Sequence, residues 1–160
     1  MVQDKQLQFG GLVVSAVYPE VVNVTWKDVE KFVVWLTLVV RGKGINPSGV
    51  YAPPRGGLLL AVMLSHSLDV PFLTEPVKDC LVVDDIVDTG RALCQYKDQD
   101  VYTASMFYNK SLSCFEPDFW KWLKTDTWIK FPWEFRLPED GMSDKEIAET
   151  TKHNETYRGR

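Results

Sequence analysis

The chain has 160 residues, of which 45% are hydrophobic and 25% charged, as is usual for one globular domain. Its formal net charge of −4 argues against unspecific binding of nucleic acid and leaves room only for a local basic pocket. The three cysteines form no CxxC pair, and the amino-terminal residues show no signal-peptide pattern. No apolar stretch is long enough to span a bilayer. We therefore expect a cytoplasmic protein with reduced thiols and no transmembrane segment.

The first third of the chain predicts extended structure followed by one long helix. Residues 9–24 mix β-branched residues with turn formers, which favours strands. Thr25 is a candidate N-cap, and Asp28 three residues later approaches a capping box. Gly42 and Gly44 end the pattern. The apolar residues that recur at helical spacing between these points are Val29, Phe32, Val33, Leu36 and Val40.

Short apolar runs alternate with helical segments in the rest of the chain. The predicted strands cover residues 49–52, 70–73, 80–83 and 101–108, and a last one lies around Trp128, Ile129 and Phe131. The predicted helices cover residues 58–68 and the segment from Gly90 to about Lys97. Because strands alternate with helices, the expected fold class is α/β, a Rossmann-like parallel sheet flanked by helices.

The chain shows no internal repeat and no linker rich in proline, glycine or serine. We therefore predict one domain over residues 1–137 and a polar carboxyl-terminal tail over residues 138–160. No cysteine and histidine residues have metal-ligand spacing, and no Ser/His/Asp or Cys/His arrangement is suggested. Chemistry must therefore be sought in other motifs.

The most informative segment is Leu81–Leu93, LVVDDIVDTGRAL. Asp84 and Asp85 follow its apolar strand, and residues 88–90 form a turn before the next predicted helix. Ligands of open α/β sheets bind at the carboxyl ends of the strands, and such a turn offers free N–H groups to a phosphate. Acids and glycine are also common in ordinary turns. However, three acids so close together repel one another unless a cation or ligand hydroxyls satisfy them.

This segment resembles the PRPP-binding signature of type I phosphoribosyltransferases, in which two acids precede a phosphate loop. The resemblance implies that Asp84 and Asp85 hold the ribose hydroxyls of PRPP and its Mg²⁺ ion. It also implies that Asp88 lies near N7 of a purine and manages its proton as the catalytic base. The implied 5′-phosphate loop consists of Asp88, Thr89, Gly90, Arg91 and Ala92. The family usually has Thr or Ser at the place of Ala92, and Arg91 is a possible replacement donor.

Two further segments carry the resemblance. The segment Tyr51–Gly57, YAPPRGG, resembles the pyrophosphate loop of the family, in which Arg55 and Gly56 would receive the diphosphate. The segment Asp126–Glu134, DTWIKFPWE, resembles the carboxyl-terminal segment of bacterial xanthine–guanine phosphoribosyltransferases. That similarity places Trp128 and Ile129 at the purine, with the indole stacked on the face of the base.

Lys110 follows the predicted strand over residues 101–108 and matches the family lysine that donates to the purine 6-oxygen. A lysine can only donate, so it would favour 6-oxopurines over 6-aminopurines. Each of these residues also has an ordinary interpretation. Lys110 could be a solvated loop lysine, and Trp128 could be a core or rim aromatic.

The resemblance implies a Mg²⁺-dependent enzyme that converts PRPP and guanine, xanthine or hypoxanthine to the nucleoside monophosphate and pyrophosphate. It implies a homo-oligomer, a dimer or tetramer, with small-molecule substrates and no nucleic acid. The family usually carries a long flexible loop that closes over the site, whereas only residues 74–79 connect Leu73 to Cys80 here. We therefore expect a reduced hood and a shortened loop. A non-catalytic or weakly active protein that binds PRPP or a nucleotide is the alternative, and a transferase for another base is a third.

Overall fold

The structure, a computed structural model, describes the backbone of residues 5–9 and 12–16 and all of residues 20–134. The predicted tail over residues 138–160 lies outside the described residues. The chain divides into two units, residues 1–130 and residues 131–160. The first unit contains every helix and strand of the described residues. None of those helices is both long enough and apolar enough to cross a membrane.

The described residues form eight strands and three helices. The strands are β1 (Lys5–Phe9), β2 (Leu12–Ala16), β3 (Val21–Asn23), β4 (Val50–Tyr51), β5 (Leu81–Val87), β6 (Tyr102–Tyr108), β7 (Phe119–Leu123) and β8 (Trp128–Lys130). The helices are α1 (Trp26–Gly42), α2 (Leu58–Leu68) and α3 (Arg91–Cys94). Strands β1 and β2 pair antiparallel, and β3 pairs parallel with β8.

A four-stranded parallel sheet in the order β4-β5-β6-β7 is the centre of the fold. Phe72 adds a parallel bridge to Val50 on the outer edge of β4. The chain therefore first moves outward from β4 and then returns to place β5 on its other side. The predicted α/β class with a parallel sheet is confirmed. Where the order reverses, between β4 and β5, an open sheet leaves a crevice at the carboxyl ends of its strands.

Helix α1 begins as its sequence predicts. The Thr25 hydroxyl accepts a hydrogen bond from the Asp28 N–H at 3.2 Å, and the Asp28 carboxylate accepts one from the Thr25 N–H at 3.2 Å. Hydrogen bonds from Thr25 and then Lys31 lower the pKa of Asp28 to about 2. The buried face of the helix consists of Val29, Phe32, Val33, Leu36, Thr37 and Val40. The helix therefore packs with the apolar face that its spacing indicated.

Strand β5 is longer than the predicted segment 80–83 and continues to Val87. Asp84 and Asp85 thus belong to the strand, and the turn begins only at Asp88. Pairing with β6 continues through the acids, with Asp84 opposite Ser105 and Val87 opposite Tyr108. Aspartate has a low intrinsic preference for strands, and the ladder on this central strand outweighs that preference.

Three other expectations need correction, and one strand was missed. The segment 70–73 forms only the single bridge at Phe72, and the helix expected up to Lys97 ends at Cys94. Strand β8 lies where a last strand was predicted but pairs with β3 rather than with the central sheet. Strand β7 was not predicted. Its start is fixed by a long-range contact, because the Asp118 carboxylate accepts hydrogen bonds from the Thr103 N–H at 2.8 Å and hydroxyl at 2.7 Å.

The capping box gives a test of the fold. We expect Thr25→Ala to lower the free energy of unfolding by about 1 kcal/mol, because the Asp28 N–H at the start of α1 loses its side-chain acceptor. Because the pKa of Asp28 is lowered, its contribution is present above the ordinary aspartate pKa and is lost as the pH falls towards 2. Urea unfolding at neutral pH measures the effect. Thr25→Ser keeps the hydroxyl and is the control; an alanine variant as stable as the serine variant would contradict the prediction.

Candidate active site

The candidate site lies where β5, β6 and β7 end side by side. Val87 is the register partner of Tyr108, which in turn is the partner of Leu123. The next residues along the three strands therefore stand in a row at the carboxyl edge of the sheet. These residues are Asp88, Asn109 and Lys124.

The three side chains of this row are joined through one oxygen of Asp88. The Asn109 Nδ2 donates to Asp88 Oδ1 at 2.8 Å, and the Lys124 Nζ donates to the same oxygen at 3.2 Å. The Lys124 side chain is only 12% exposed, whereas the Asp88 side chain is 47% exposed. No donor among residues 20–134 contacts Oδ2. One carboxylate oxygen is thus held while the other is open to a ligand.

The direction of the Asn109 amide is fixed by its neighbours. Its Oδ1 accepts hydrogen bonds from the N–H groups of Ser111 and Leu112, each at 3.2 Å. Its own N–H donates to the carbonyl of Val87 at 2.8 Å, and the residue is buried. Because the amide oxygen is used by two donors, the amide nitrogen has to face Asp88.

Residues 113–115 contact the turn after β5. The Thr89 carbonyl accepts hydrogen bonds from the Cys114 N–H at 3.1 Å and from its thiol at 3.2 Å. Gly90 has a φ of +79°, and a Cβ there would overlap the Ser113 hydroxyl and lie 3.0 Å from the Phe115 nitrogen. Only glycine fits this position without displacing the turn.

The same turn presents unpaired N–H groups. The N–H groups of residues 89–92 have no hydrogen-bond acceptor within residues 20–134. Successive free N–H groups in a turn that passes through the left-handed region form an anion-binding concavity. Arg91 and Ala92 are exposed. Free N–H groups of this kind are the donors that the sequence resemblance implies for a phosphate loop.

Asp84 and Asp85 form a half-buried acidic pair just before this turn. The Asp85 N–H donates to Asp84 Oδ1 at 3.0 Å, and the Ile86 N–H donates to Asp85 Oδ1 at 2.8 Å. Burial and the neighbouring Asp85 carboxylate raise the pKa of Asp84 to about 8. A cation or hydroxyl donors at this pair would stabilise the ionised form.

The second loop packs directly on the acidic pair. A Cβ at Gly56 would overlap the Asp85 carboxylate, and one at Gly57 would overlap the carbonyl of Val83. The Pro54–Arg55 peptide bond is cis, and Arg55 is exposed. The loops that follow β4 and β5 thus meet at the reversal of strand order.

The residues predicted to bind the base are less closely joined to this centre. Lys110 is exposed and forms no hydrogen bond or ion pair with any residue between 20 and 134. In β8, Trp128 is 62% exposed and Ile129 is buried. In the second unit, the rings of Phe131 and Trp133 stack at 4.7 Å.

Sequence reasoning missed Asn109 and Lys124. Lys124 is the first residue after β7, so a correct prediction of that strand and its register would have placed it beside Asp88. Asn109 stands one residue after the predicted strand end, and its signal is an amide at the carboxyl edge of a parallel sheet.

Comparison with models of protein families gives no match to this sequence. Comparison with characterised proteins likewise gives none.

Solved structures, in contrast, are similar over most of the chain. A purine phosphoribosyltransferase from Pyrococcus horikoshii is 26% identical with a TM-score of 0.62, covering 74% of this chain and 98% of its own. The xanthine-guanine-hypoxanthine phosphoribosyltransferase of Helicobacter pylori is 22% identical with a TM-score of 0.60, covering 82% of this chain and 99% of its own. A hypothetical protein from Neisseria gonorrhoeae with bound ppGpp is 20% identical with a TM-score of 0.59, covering 74% of this chain and 91% of its own.

The acidic pair predicts an unusual dependence of stability on pH. Because the pKa of Asp84 is about 8 in the fold and 3.8 ordinarily, the folded chain keeps a proton that the unfolded chain loses between these values. The free energy of unfolding should therefore fall as the pH rises from about 4 to about 8, by on the order of a few kcal/mol.

Asp84→Asn should lose this decline and be more stable than the unaltered chain at pH 8. Thermal unfolding between pH 4 and 8.5, in buffer without divalent cations, measures the difference. Asp98→Asn is the control, because that side chain is 86% exposed, and it should retain the decline. A decline of the same size in Asp84→Asn would show that Asp84 is not its source.

Proposed function

We propose that this chain, which has the type I phosphoribosyltransferase fold, is a purine phosphoribosyltransferase that joins a 6-oxopurine to PRPP. One observation carries the proposal. A turn with free N–H groups, an acidic pair and a glycine loop packed on that pair lie together at the reversal of strand order. A phosphorylated ribose that carries a diphosphate needs all three features. Two similar structures are those of purine phosphoribosyltransferases.

The acidic pair would hold the ribose. The carboxylates of Asp84 and Asp85 are acceptors for its two hydroxyls, and each is already oriented by a backbone N–H. Within residues 20–134 no group of three potential metal ligands occurs. Magnesium fits this pair, because it is usually bound by one or two carboxylates together with substrate phosphates. When bound, Mg²⁺ would neutralise charge on the leaving diphosphate.

The two loops would hold the phosphates. The N–H groups of Thr89, Gly90, Arg91 and Ala92 would receive the 5′-phosphate. On the other side of the acidic pair, Arg55 would bind the diphosphate with its guanidinium, and Gly56 would allow it to approach the backbone closely. The reacting ribose carbon is thereby placed between two fixed anchors, which lowers the entropic part of the barrier.

The base would be bound above Asp88. The N7–H of the purine gives its proton to the Asp88 carboxylate, the electrons of that bond stay in the ring, and the lone pair of N9 forms the bond to the ribose carbon. The bond from that carbon to the diphosphate breaks, and diphosphate leaves with the electron pair. Trp128 would cover the face of the base, Ile129 would line the pocket, and Lys110 would donate to the 6-oxygen. These assignments to the base extend the resemblance of the sequence.

A second candidate is a protein of the same fold that binds PRPP or a nucleotide with little or no turnover. The connection over residues 74–79 supports it. The Ser48 N–H donates to the Asp79 carbonyl at 3.1 Å and the Ser48 hydroxyl donates to the Lys78 carbonyl at 2.7 Å. Ser48 precedes β4, so the end of this connection lies at the edge of the sheet opposite the site. A similar structure contains bound ppGpp.

The proposal also includes a homo-oligomeric assembly, a dimer or tetramer, and a cytoplasmic location. Both follow from the resemblance to type I phosphoribosyltransferases. Light scattering coupled to size-exclusion chromatography measures the assembly directly.

The first test is turnover. Purified protein with Mg²⁺ and PRPP should form nucleoside monophosphate from guanine, xanthine or hypoxanthine, and much less from adenine. Chromatographic separation of base and nucleotide measures the product. Binding of PRPP or ppGpp by calorimetry without product from any base would reject the enzyme and favour the second candidate.

The second test is Asp88→Asn, which keeps the shape of the side chain but accepts a proton poorly. We expect kcat to fall about 100-fold to 10,000-fold, because that is the usual contribution of general acid–base catalysis. The dissociation constant of PRPP should change little. Asp98→Asn is the matched control on an exposed residue. An unchanged kcat in Asp88→Asn would remove the assigned role of that residue.

A further inference from the structure

We infer that Asn109 and Lys124 are positioning residues that hold Asp88 with its Oδ2 turned towards the purine. This inference rests on the proposed function and adds two residues that the sequence resemblance does not assign. Both donors meet the same atom, Oδ1, at 2.8 Å and 3.2 Å. The pair therefore fixes which carboxylate oxygen is free to take the proton.

The arrangement restricts rotation of the carboxylate. A half-exposed aspartate would ordinarily rotate about its side-chain bonds, with both oxygens solvated. Here one oxygen is bound by a buried amide and by an ammonium that is largely removed from water. Charge-assisted hydrogen bonds of this kind are roughly twice as strong as neutral ones. A turn of the carboxylate that exchanged the two oxygens would break both contacts.

The two donors are themselves fixed. Asn109 is held by the N–H groups of Ser111 and Leu112, and its backbone is paired to Val87. The Lys124 N–H donates to the Tyr108 carbonyl at 2.8 Å, which extends the pairing of β6 with β7. Its Nζ also donates to the Thr125 carbonyl at 3.3 Å. The strand ends therefore set the position of the reacting oxygen.

The role in turnover follows from this geometry. Proton transfer needs Oδ2 within hydrogen-bond reach of N7 of the purine while N9 faces the ribose carbon. Loss of either donor leaves the carboxylate in place but allows it to rotate. The number of productive encounters should fall, whereas the phosphate loops that bind PRPP are untouched.

Asn109→Asp separates this role from folding. The new carboxylate still accepts from Ser111 and Leu112, so the turn after β6 keeps its hydrogen bonds. It cannot donate to Asp88 in its ionised form, and the two carboxylates repel each other. We expect kcat for a 6-oxopurine to fall about 10-fold to 100-fold, as for other misplaced catalytic groups, with the KM for PRPP within about twofold.

Lys124 is tested by two substitutions and a control. Lys124→Met removes the ammonium and should lower kcat about 10-fold or more at an unchanged KM for PRPP, whereas Lys124→Arg restores a donor and should regain most of the rate. Lys43→Met is the matched control, because Lys43 is exposed at the end of α1.

The outcomes distinguish this inference from the proposed function. Absence of turnover by the unaltered protein with every purine overturns both. Turnover by the unaltered protein, with Asn109→Asp and Lys124→Met as fast as Lys43→Met, overturns the positioning role alone. A KM for PRPP that rises together with the loss of kcat, without rescue by Lys124→Arg, shows a structural role and also rejects the inference.

Discussion

The parallel register of β5, β6 and β7 is the constraint on which the site depends. Because Val87, Tyr108 and Leu123 are partners across the three strands, the residues that follow them emerge at one level. Parallel strands are linked by evenly spaced hydrogen bonds. Because successive side chains of a strand point to opposite faces of the sheet, a slip of one residue in this pairing would turn each side chain to the other face. The contacts of Asn109 and Lys124 with Asp88 are therefore a consequence of backbone pairing rather than of local loop structure.

The same register places two neighbouring carboxylates in a partly buried strand, which is energetically unfavourable. Continuing β5 through Asp84 and Asp85 partly removes these carboxylates from water in a strand that is paired with β6 along this stretch. Burial then raises the pKa of Asp84 to about 8, and the glycine loop approaches so closely that a Cβ at Gly56 would overlap Asp85. Such unfavourable terms are typical of sites that bind a ligand. The acidic pair thus gives a physical reason to expect a bound cation or sugar hydroxyls.

Local patterns were sufficient for much of the fold. The capping box and apolar spacing of α1, the apolar run of α2 and the alternation of strands with helices are encoded within short windows, and they predicted the α/β class. Strand β7 could not be predicted in this way, because its position depends on the contact between Asp118 and Thr103, which are fifteen residues apart. Lys124 was missed for the same reason. The motif around Asp88 could be recognised in the sequence, because its glycine and its free N–H groups belong to a single turn.

The choice between an enzyme and a binding protein depends on what the site does beyond holding phosphates. The connection over residues 74–79 ends beside Ser48 at the far edge of the sheet, and in the proposed enzyme water would have to be excluded before PRPP reacts with a base. Yet binding of a phosphorylated ribose would need only the free N–H groups and the acidic pair. The buried Asn109 amide and the ammonium of the largely buried Lys124 side chain both donate to one oxygen of Asp88, whereas the N–H groups of residues 89–92 are left open. In the proposed enzyme the two donors would impose order on a carboxylate that faces the base, and such order is useful chiefly when that carboxylate takes part in a reaction.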